Sequence, residues 1–307
     1  MTHLNLDPAE AKAALQHRPF VLDHNLSDHH LFTLEKLVDL AKKMPRDKIE
    51  YNSGKVAIDQ DPDATPQVDL EPDQVIREIE TCGAWLVIKN VESEPAYQGL
   101  LGEFIGELAS ASGLEKELFD DLQGFIFISS AGSTTPFHID AEENILVQIS
   151  GDKEVHVFEN EDRSLVSEHE MEISPDGHRN MRYAPSHEAR AAVFNLKEGD
   201  AVHIPYMHPH WVGTGDRYCI SMAMTWKTPE VRRLNKIRFM NGTLRRFGWV
   251  QNPPGHSPAA DRAKVLLHDA VRAVLDPIRR SEQARRWLRG LIYGRKANYY
   301  YEAGRGA

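Results

Sequence analysis

Between Gly124 and Trp226 the chain consists of short β-prone runs separated by Gly-Asp pairs, and no other feature limits its fold as much. The runs fall at residues 125–129, 144–149, 154–158, 192–195, 201–204 and 218–226. Gly151-Asp152, Gly199-Asp200 and Gly215-Asp216 punctuate them. Short strands closed by turn residues build sandwiches and barrels. The flanking chain has another texture. Asp7-Pro8 offers an N-cap followed by proline at the first helical position, and residues 19–23 are strand-like. Residues 27–44 carry Leu31, Leu34, Leu37, Leu40 and Ala41 at helical spacing. Proline-rich loops around a strand near 48–51 follow, then a helix from Glu71, a buried strand at 84–89 and a helix at 96–112. After Thr228 the pattern is helical again, with a break at 253–258. Residues 259–293 form one long pattern that Pro277 kinks or divides. The expected class is mainly β with α decoration: a mixed N-terminal part (1–123), a β core (124–228) and a helical C-terminal region (229–307).

A chain of 307 residues, 41% apolar and 27% charged, has the composition of a globular protein. No apolar run approaches the roughly 18–20 residues that span a bilayer, and the first residues lack the basic and apolar regions of a secretory signal. Cys82 and Cys219 are the only cysteines, too few for a disulfide framework, so a reducing cytoplasm is the expected compartment. The net charge of −10 is uneven. Residues 229–307 hold 17 Lys and Arg against 6 Asp and Glu, giving +11, and the remaining 19 against 40 give −21. We read the basic tail, including Arg232, Arg233, Lys236, Arg238, Arg279, Arg280, Arg285, Arg286, Arg289, Arg295 and Lys296, as a solvated helical face. It lacks the interleaved aromatic residues of a nucleic-acid surface.

The chemistry is concentrated in two places. His138-Ile-Asp140 is an H-x-D pair. His203-Ile-Pro-Tyr-Met-His208-Pro-His210 follows about seventy residues later. Side chains at i and i+2 share one face of a strand, so His138 and Asp140 can both point into a barrel. Two histidines and one carboxylate form the facial triad of iron(II) oxygenases. His208 and His210 compete for the third place. His210 is preferred because Pro209 breaks regularity just before it, and because Gly199-Asp200…Ile204-Pro205-x₄-His210-x-Val212 resembles the pattern found on the later strands of cupin-like oxygenases. His203 is read as a wall or surface residue. His17, His24, His29, His30, His169, His178, His187, His256 and His268 have no such spacing and are read as surface or capping residues.

Thr135-Pro-Phe-His-Ile-Asp-Ala-Glu-Glu-Asn-Ile-Leu-Val-Gln-Ile-Ser-Gly-Asp-Lys153 resembles the core motif of JmjC-type, cupin-like oxygenases, among them the asparaginyl hydroxylase of the hypoxia response. The form T-P-x-H-x-D-x₃-N-x₃-Q-I-x-G-x-K is filled at every fixed position. The resemblance is strong over residues 124–227 and weaker over 18–123. It implies a double-stranded β-helix (jelly-roll) core, with iron(II) held by His138, Asp140 and His210. It implies 2-oxoglutarate as co-substrate, its distal carboxylate held by Lys153 and Thr135 and its metal-side carboxylate near Asn144. The Arg-x-Ser pair used by other members is not matched, since Arg217 and Ser221 stand four apart. Ser221, Ala223 and Thr225 alternate along the last strand as lumen residues. The implied activity is hydroxylation of a protein, peptide or small-molecule substrate with release of succinate and CO₂, and the implied assembly is a homodimer through C-terminal helices. The acidic body favours a cationic substrate. The alternative is a metal-binding cupin without 2-oxoglutarate turnover: an isomerase, another dioxygenase or a regulatory binding protein.

Overall fold

The computed structural model describes residues 3–176 and 180–279. The chain runs β1 (Leu4–Asn5), α1 (Pro8–Ala14), β2 (Phe20–His24), α2 (Leu34–Lys43), β3 (Ile49–Ser53), α3 (Pro72–Arg77), β4 (Ala84–Lys89) and α4 (Pro95–Ser112). It continues through β5 (Asp120–Ser129), β6 (Thr134–His138), β7 (Glu143–Ser150), β8 (Lys153–Val157), α5 (Glu168–Ile173), β9 (Ala192–Leu196), β10 (Asp200–Ile204), β11 (His210–Thr214) and β12 (Cys219–Lys227). Two helices follow, α6 (Pro229–Arg246) and α7 (Pro258–Arg279).

Local chemistry sets the helix ends. The Asp7 carboxylate accepts from Ala9 N–H at 2.9 Å, as an N-cap should. Glu71 and Gln74 form a capping box at the start of α3. The expected helix over 27–44 begins only at Leu34. His29 caps a separate 3₁₀ turn at His30–Phe32, and Thr33 then caps α2. α7 continues through Pro277 to Arg279, so proline does not end it there. Arg280, Arg285, Arg286, Arg289, Arg295 and Lys296, and the rest of the 259–293 pattern, lie outside the described residues.

Two antiparallel sheets form the core. The larger has the order β1-β2-β10-β7-β12-β5-β4-β3, the smaller β6-β11-β8-β9. Within them, β5–β12 pair as β10-β7-β12-β5 facing β6-β11-β8-β9, the strand order of an eight-stranded jelly roll. The remaining four strands extend the larger sheet at both edges. The exposed edge of β6 is covered by the chain after β3: Thr134 N–H donates to the Gly54 carbonyl at 2.8 Å and Phe137 N–H to Ile58 at 2.7 Å.

Alternation separates two cores. Ile145, Val147 and Ile149 of β7 and Ile220, Met222, Met224 and Trp226 of β12 face α4, packing with Phe104, Ile105 and Leu108. The intervening Leu146 and Ala223 turn inward, joining Val155, Val157, Leu196, Val202, Ile204 and Val212 between the sheets. Burying one such aliphatic side chain is worth about 1.5–3 kcal/mol. A one-residue register slip would therefore turn both sets to the wrong face. A third apolar group beside the smaller sheet includes Phe137, Ile139, Phe158, Met181, Tyr206, Met207 and Val231.

Two compact units are distinguished, Met1–Asn235 and a second beginning at Lys236. Among the described residues no helix is long and apolar enough to cross a membrane.

Candidate metal centre

His138 is the last residue of β6 and His210 the first of β11, and the two are register partners. The next partner of β11 is Val212 with Thr135, so β6 carries one extra residue at Pro136-Phe137, a bulge. Cross-strand partners share a face, as do His210 and Val212 at i, i+2. The bulge thus turns Thr135 and His138 to the same inner face, although a spacing of three would oppose them in a regular strand. Their ring centroids bring His138 and His210 within 4.1 Å.

Asp140 lies beyond the end of β6, where its backbone carbonyl accepts from Met207 N–H at 2.9 Å. The expected strand placement of the H-x-D pair is corrected here. Asp140 stands in the irregular link between β6 and β7, and Ile139 is buried in the third apolar group. The Asp140 carboxylate stands 3.9 Å from His138 Nε2 and 3.7 Å from His210 Nε2. One donor atom from each of His138, Asp140 and His210 lies within 4.8 Å of the others, the spacing of a metal-ligating group.

The ring orientations are set by the backbone. His138 Nδ1 lies 2.6 Å from the Pro136 carbonyl and His210 Nδ1 2.9 Å from the His208 carbonyl. A carbonyl only accepts, so each Nδ1 carries the proton. In the neutral ring this leaves the Nε2 lone pair facing the cluster.

The rival His208 stays outside this cluster. β11 begins at His210, and residues 205–209 form a loop in which Met207 takes a left-handed φ of 59°. His208 and His210 therefore do not share a strand face. The His208 ring faces Glu159, with Nε2 3.8 Å from its carboxylate. Burial pushes its pKa down. Its contribution to the site is the carbonyl that orients His210. His203 is fully buried, its Nε2 3.2 Å from the Glu143 carboxylate, so it is not a surface residue. His24 is also buried: its ring spans the Gln148 carbonyl and Leu26 N–H, tying β2 to β7.

Along the same inner face, Lys153 opens β8 at 5% exposure. Its ammonium makes no ion pair or hydrogen bond with a described residue. It lies 5.6 Å from the Phe127 ring centroid. Burial lowers its pKa to about 8. An unpaired buried ammonium is costly and calls for an anion. Nearby, the Thr135 hydroxyl oxygen accepts from Trp85 Nε1–H at 3.2 Å, which leaves its own proton free to donate elsewhere. Asn144 donates to the Asp140 carboxylate at 3.3 Å, and its buried Oδ1 has no hydrogen-bond partner among the described residues. Thr225, opposite Asn144 in register, has a buried hydroxyl in the same condition. Ser221 is used structurally, donating to Gln148 at 2.7 Å. Gln148 in turn donates to the carbonyls of Ser150 and Gly151. Arg217 pairs with Asp152 and Glu198, so its role is not in the barrel.

Thr135, His138, Asp140, Asn144, Lys153 and His210 were all expected from the sequence, and the fold places them along this inner face and its mouth. Trp85 and Phe127 were not foreseen. Both occur in apolar runs where nothing distinguishes a lining aromatic side chain from a core one. Alternation along β12 did single out Thr225.

A family model described as a cupin-like domain matches residues 8–231. Among solved structures the chain is similar to YcfD of Escherichia coli, at 19% identity over 95% of this chain and 73% of that one, with a TM-score of 0.53. A second YcfD structure, described as a ribosomal oxygenase in complex with cobalt and 2-oxoglutarate, matches at 19% identity over 95% and 72%, with a TM-score of 0.51. At that identity the likeness shows the fold. No curated protein matches.

Proposed function

We propose, on the premise that this chain belongs to the cupin-like domain family, that it is an iron(II)- and 2-oxoglutarate-dependent dioxygenase that hydroxylates its substrate. The observation that carries this reading is the pairing of two sites on one inner face. One is the His138, Asp140 and His210 cluster; the other is the buried ammonium of Lys153, which no described residue neutralises.

The residues fit both groups. Two imidazole nitrogens and one carboxylate suit iron(II) and leave positions open for a co-substrate. Lys153 and the Thr135 hydroxyl suit the distal carboxylate of 2-oxoglutarate, and the orphaned Asn144 Oδ1 and Thr225 hydroxyl mark a polar recess beside Asp140. When bound, metal and 2-oxoglutarate supply the activation of O₂, coupling decarboxylation to succinate with oxidation of a substrate C–H bond. The chain's own contribution is placement. The Pro136 and His208 carbonyls fix the two rings, Asn144 holds the carboxylate, and Lys153 anchors the far end of the co-substrate. Phe125, Phe127, Val155 and Val212 give the space between an apolar lining.

The YcfD description as a ribosomal oxygenase favours a protein side chain as substrate, and the −21 charge of residues 1–228 favours a cationic one. Exposed Phe247, Trp249, Val250, Leu266 and Leu267 in the second unit favour a homodimer. Nucleic acid is disfavoured, because Arg232 pairs with Asp120, Arg233 with Glu230 and Lys236 with Asp269. Cys82 and Cys219 are free, in keeping with the cytoplasm.

The test is succinate release from 2-oxoglutarate with iron(II), offered basic peptides as substrate. We predict turnover by the wild type and none by His138→Ala or Asp140→Ala. Full succinate yield from either variant would remove the assignment. A cupin acting without 2-oxoglutarate would bind metal yet produce no succinate, and the buried Lys153 argues against it.

A further inference from the structure

One side chain of α6 bonds both segments that carry the donor cluster. Asn235 Oδ1 accepts from the Tyr206 hydroxyl at 2.8 Å, and Asn235 Nδ2–H donates to the Ala141 carbonyl at 2.8 Å. Ala141 directly follows Asp140, and Tyr206 lies in the loop that leads into His210. The same segments are joined by Met207 N–H to the Asp140 carbonyl at 2.9 Å, from a residue held at φ 59°. A non-glycine residue keeps that conformation only where its surroundings impose it. Asn160 braces the loop from the other side, its amide donating to the Tyr206 carbonyl at 2.9 Å. The apolar contacts around these segments are non-directional. The two Asn235 bonds have defined lengths and directions.

We propose that Asn235 is a positioning residue for the metal centre. By bonding both segments at once it sets the separation between the Asp140 carboxylate and the His210 imidazole, and metal affinity depends on that separation. This rests on the reading of His138, Asp140 and His210 as ligands. Residues that orient a metal's ligands are commonly worth roughly 10–100-fold in affinity.

The experiment titrates metal-free protein with Co(II) alone, without co-substrate or substrate, and follows affinity by calorimetry alongside thermal unfolding. Asn235→Leu removes both bonds at similar volume. Asn235→Asp keeps the acceptor for Tyr206 and loses the donor to Ala141, and Tyr206→Phe removes only the Tyr206 bond. Asn235→Leu is expected to bind roughly tenfold or more weakly, with smaller losses in the other two. Leu234→Ala loosens the same helix against the same apolar group. It is expected to lower the melting temperature while leaving affinity within about twofold. Wild-type affinity in Asn235→Leu, or an equal loss in Leu234→Ala, overturns the proposal alone. Absence of Co(II) binding by the wild type overturns it together with the metal reading. Should Asn235→Leu fail to fold, Asn235→Asp and Tyr206→Phe decide on the same criterion.

Discussion

Lys153 is the residue at which fold and function make opposite demands. Its ammonium is buried with no counter-ion among the described residues, and burial lowers its pKa from 10.5 to about 8. The sign of the linkage follows. Between pH 8 and 10.5 the unfolded chain binds the proton that the folded chain has lost, so this group adds stability as pH rises through that window. Its burial cost is complete below pH 8. A dicarboxylate needs the charged form. Its affinity should therefore be flat below pH 8 and fall roughly tenfold per unit above it, until the pKa of the complex is reached. Lys153→Met separates the two effects. The ligand-free protein should gain about 1–3 kcal/mol in denaturant unfolding, while 2-oxoglutarate binding weakens roughly 10–100-fold for a lost charged hydrogen bond. A variant that keeps its 2-oxoglutarate affinity would show that the anchor lies elsewhere. The resemblance to JmjC-type oxygenases pointed to Lys153. Its isolation from other charges depends on which strands surround it, and no local pattern encodes that.

At the level of elements, strands carry the site and turns decide where it points. The β6 bulge at Pro136-Phe137 lets Thr135 and His138 share a face, a fact that two-residue periodicity denies. The β7–β8 turn places Lys153 at the start of its strand rather than in solvent. Gly151 makes that turn at φ 79°, and a Cβ there would lie 2.5 Å from the Tyr218 carbonyl oxygen and 2.5 Å from Cys219 Sγ. Left-handed strain and a backbone clash add, so Gly151→Ala should cost about 2–4 kcal/mol in urea unfolding. It should also weaken 2-oxoglutarate binding by displacing Lys153. A neutral result would mean that the turn can relax without moving β8. The runs at 125–129, 144–149 and 218–226 were legible as strands because apolar residues recur on both faces. β6 and β11 were not among the strand runs, since Pro136, the histidines and the glycine at 213 dilute the pattern. They are held as strands by their neighbours.

The whole molecule is electrically divided, with an acidic jelly-roll part and a basic C-terminal region. In the second unit Trp249, Val250 and Leu266 are 64%, 88% and 70% exposed, which is unfavourable for a chain that stays alone in water. Light scattering should give about twice the chain mass of 34.8 kDa. The pair Leu266→Glu and Leu267→Glu should yield single chains that still bind metal. A wild type of single-chain mass would remove the dimer.

The sequence by itself carried the two-histidine, one-carboxylate donor set and the alternation along β12. Both are local in the sequence: the H-x-D pair and the motif from Thr135 to Lys153 form one continuous stretch, and the inward row of β12 lies on a single strand. The sequence already preferred His210 over His208; the tertiary structure alone decided that Asp140 stands beyond the end of β6 and that Asn235 spans both segments that carry the donor cluster. Each of these depends on contacts between segments far apart along the chain, and those contacts come from register, a bulge and a left-handed residue rather than from periodicity.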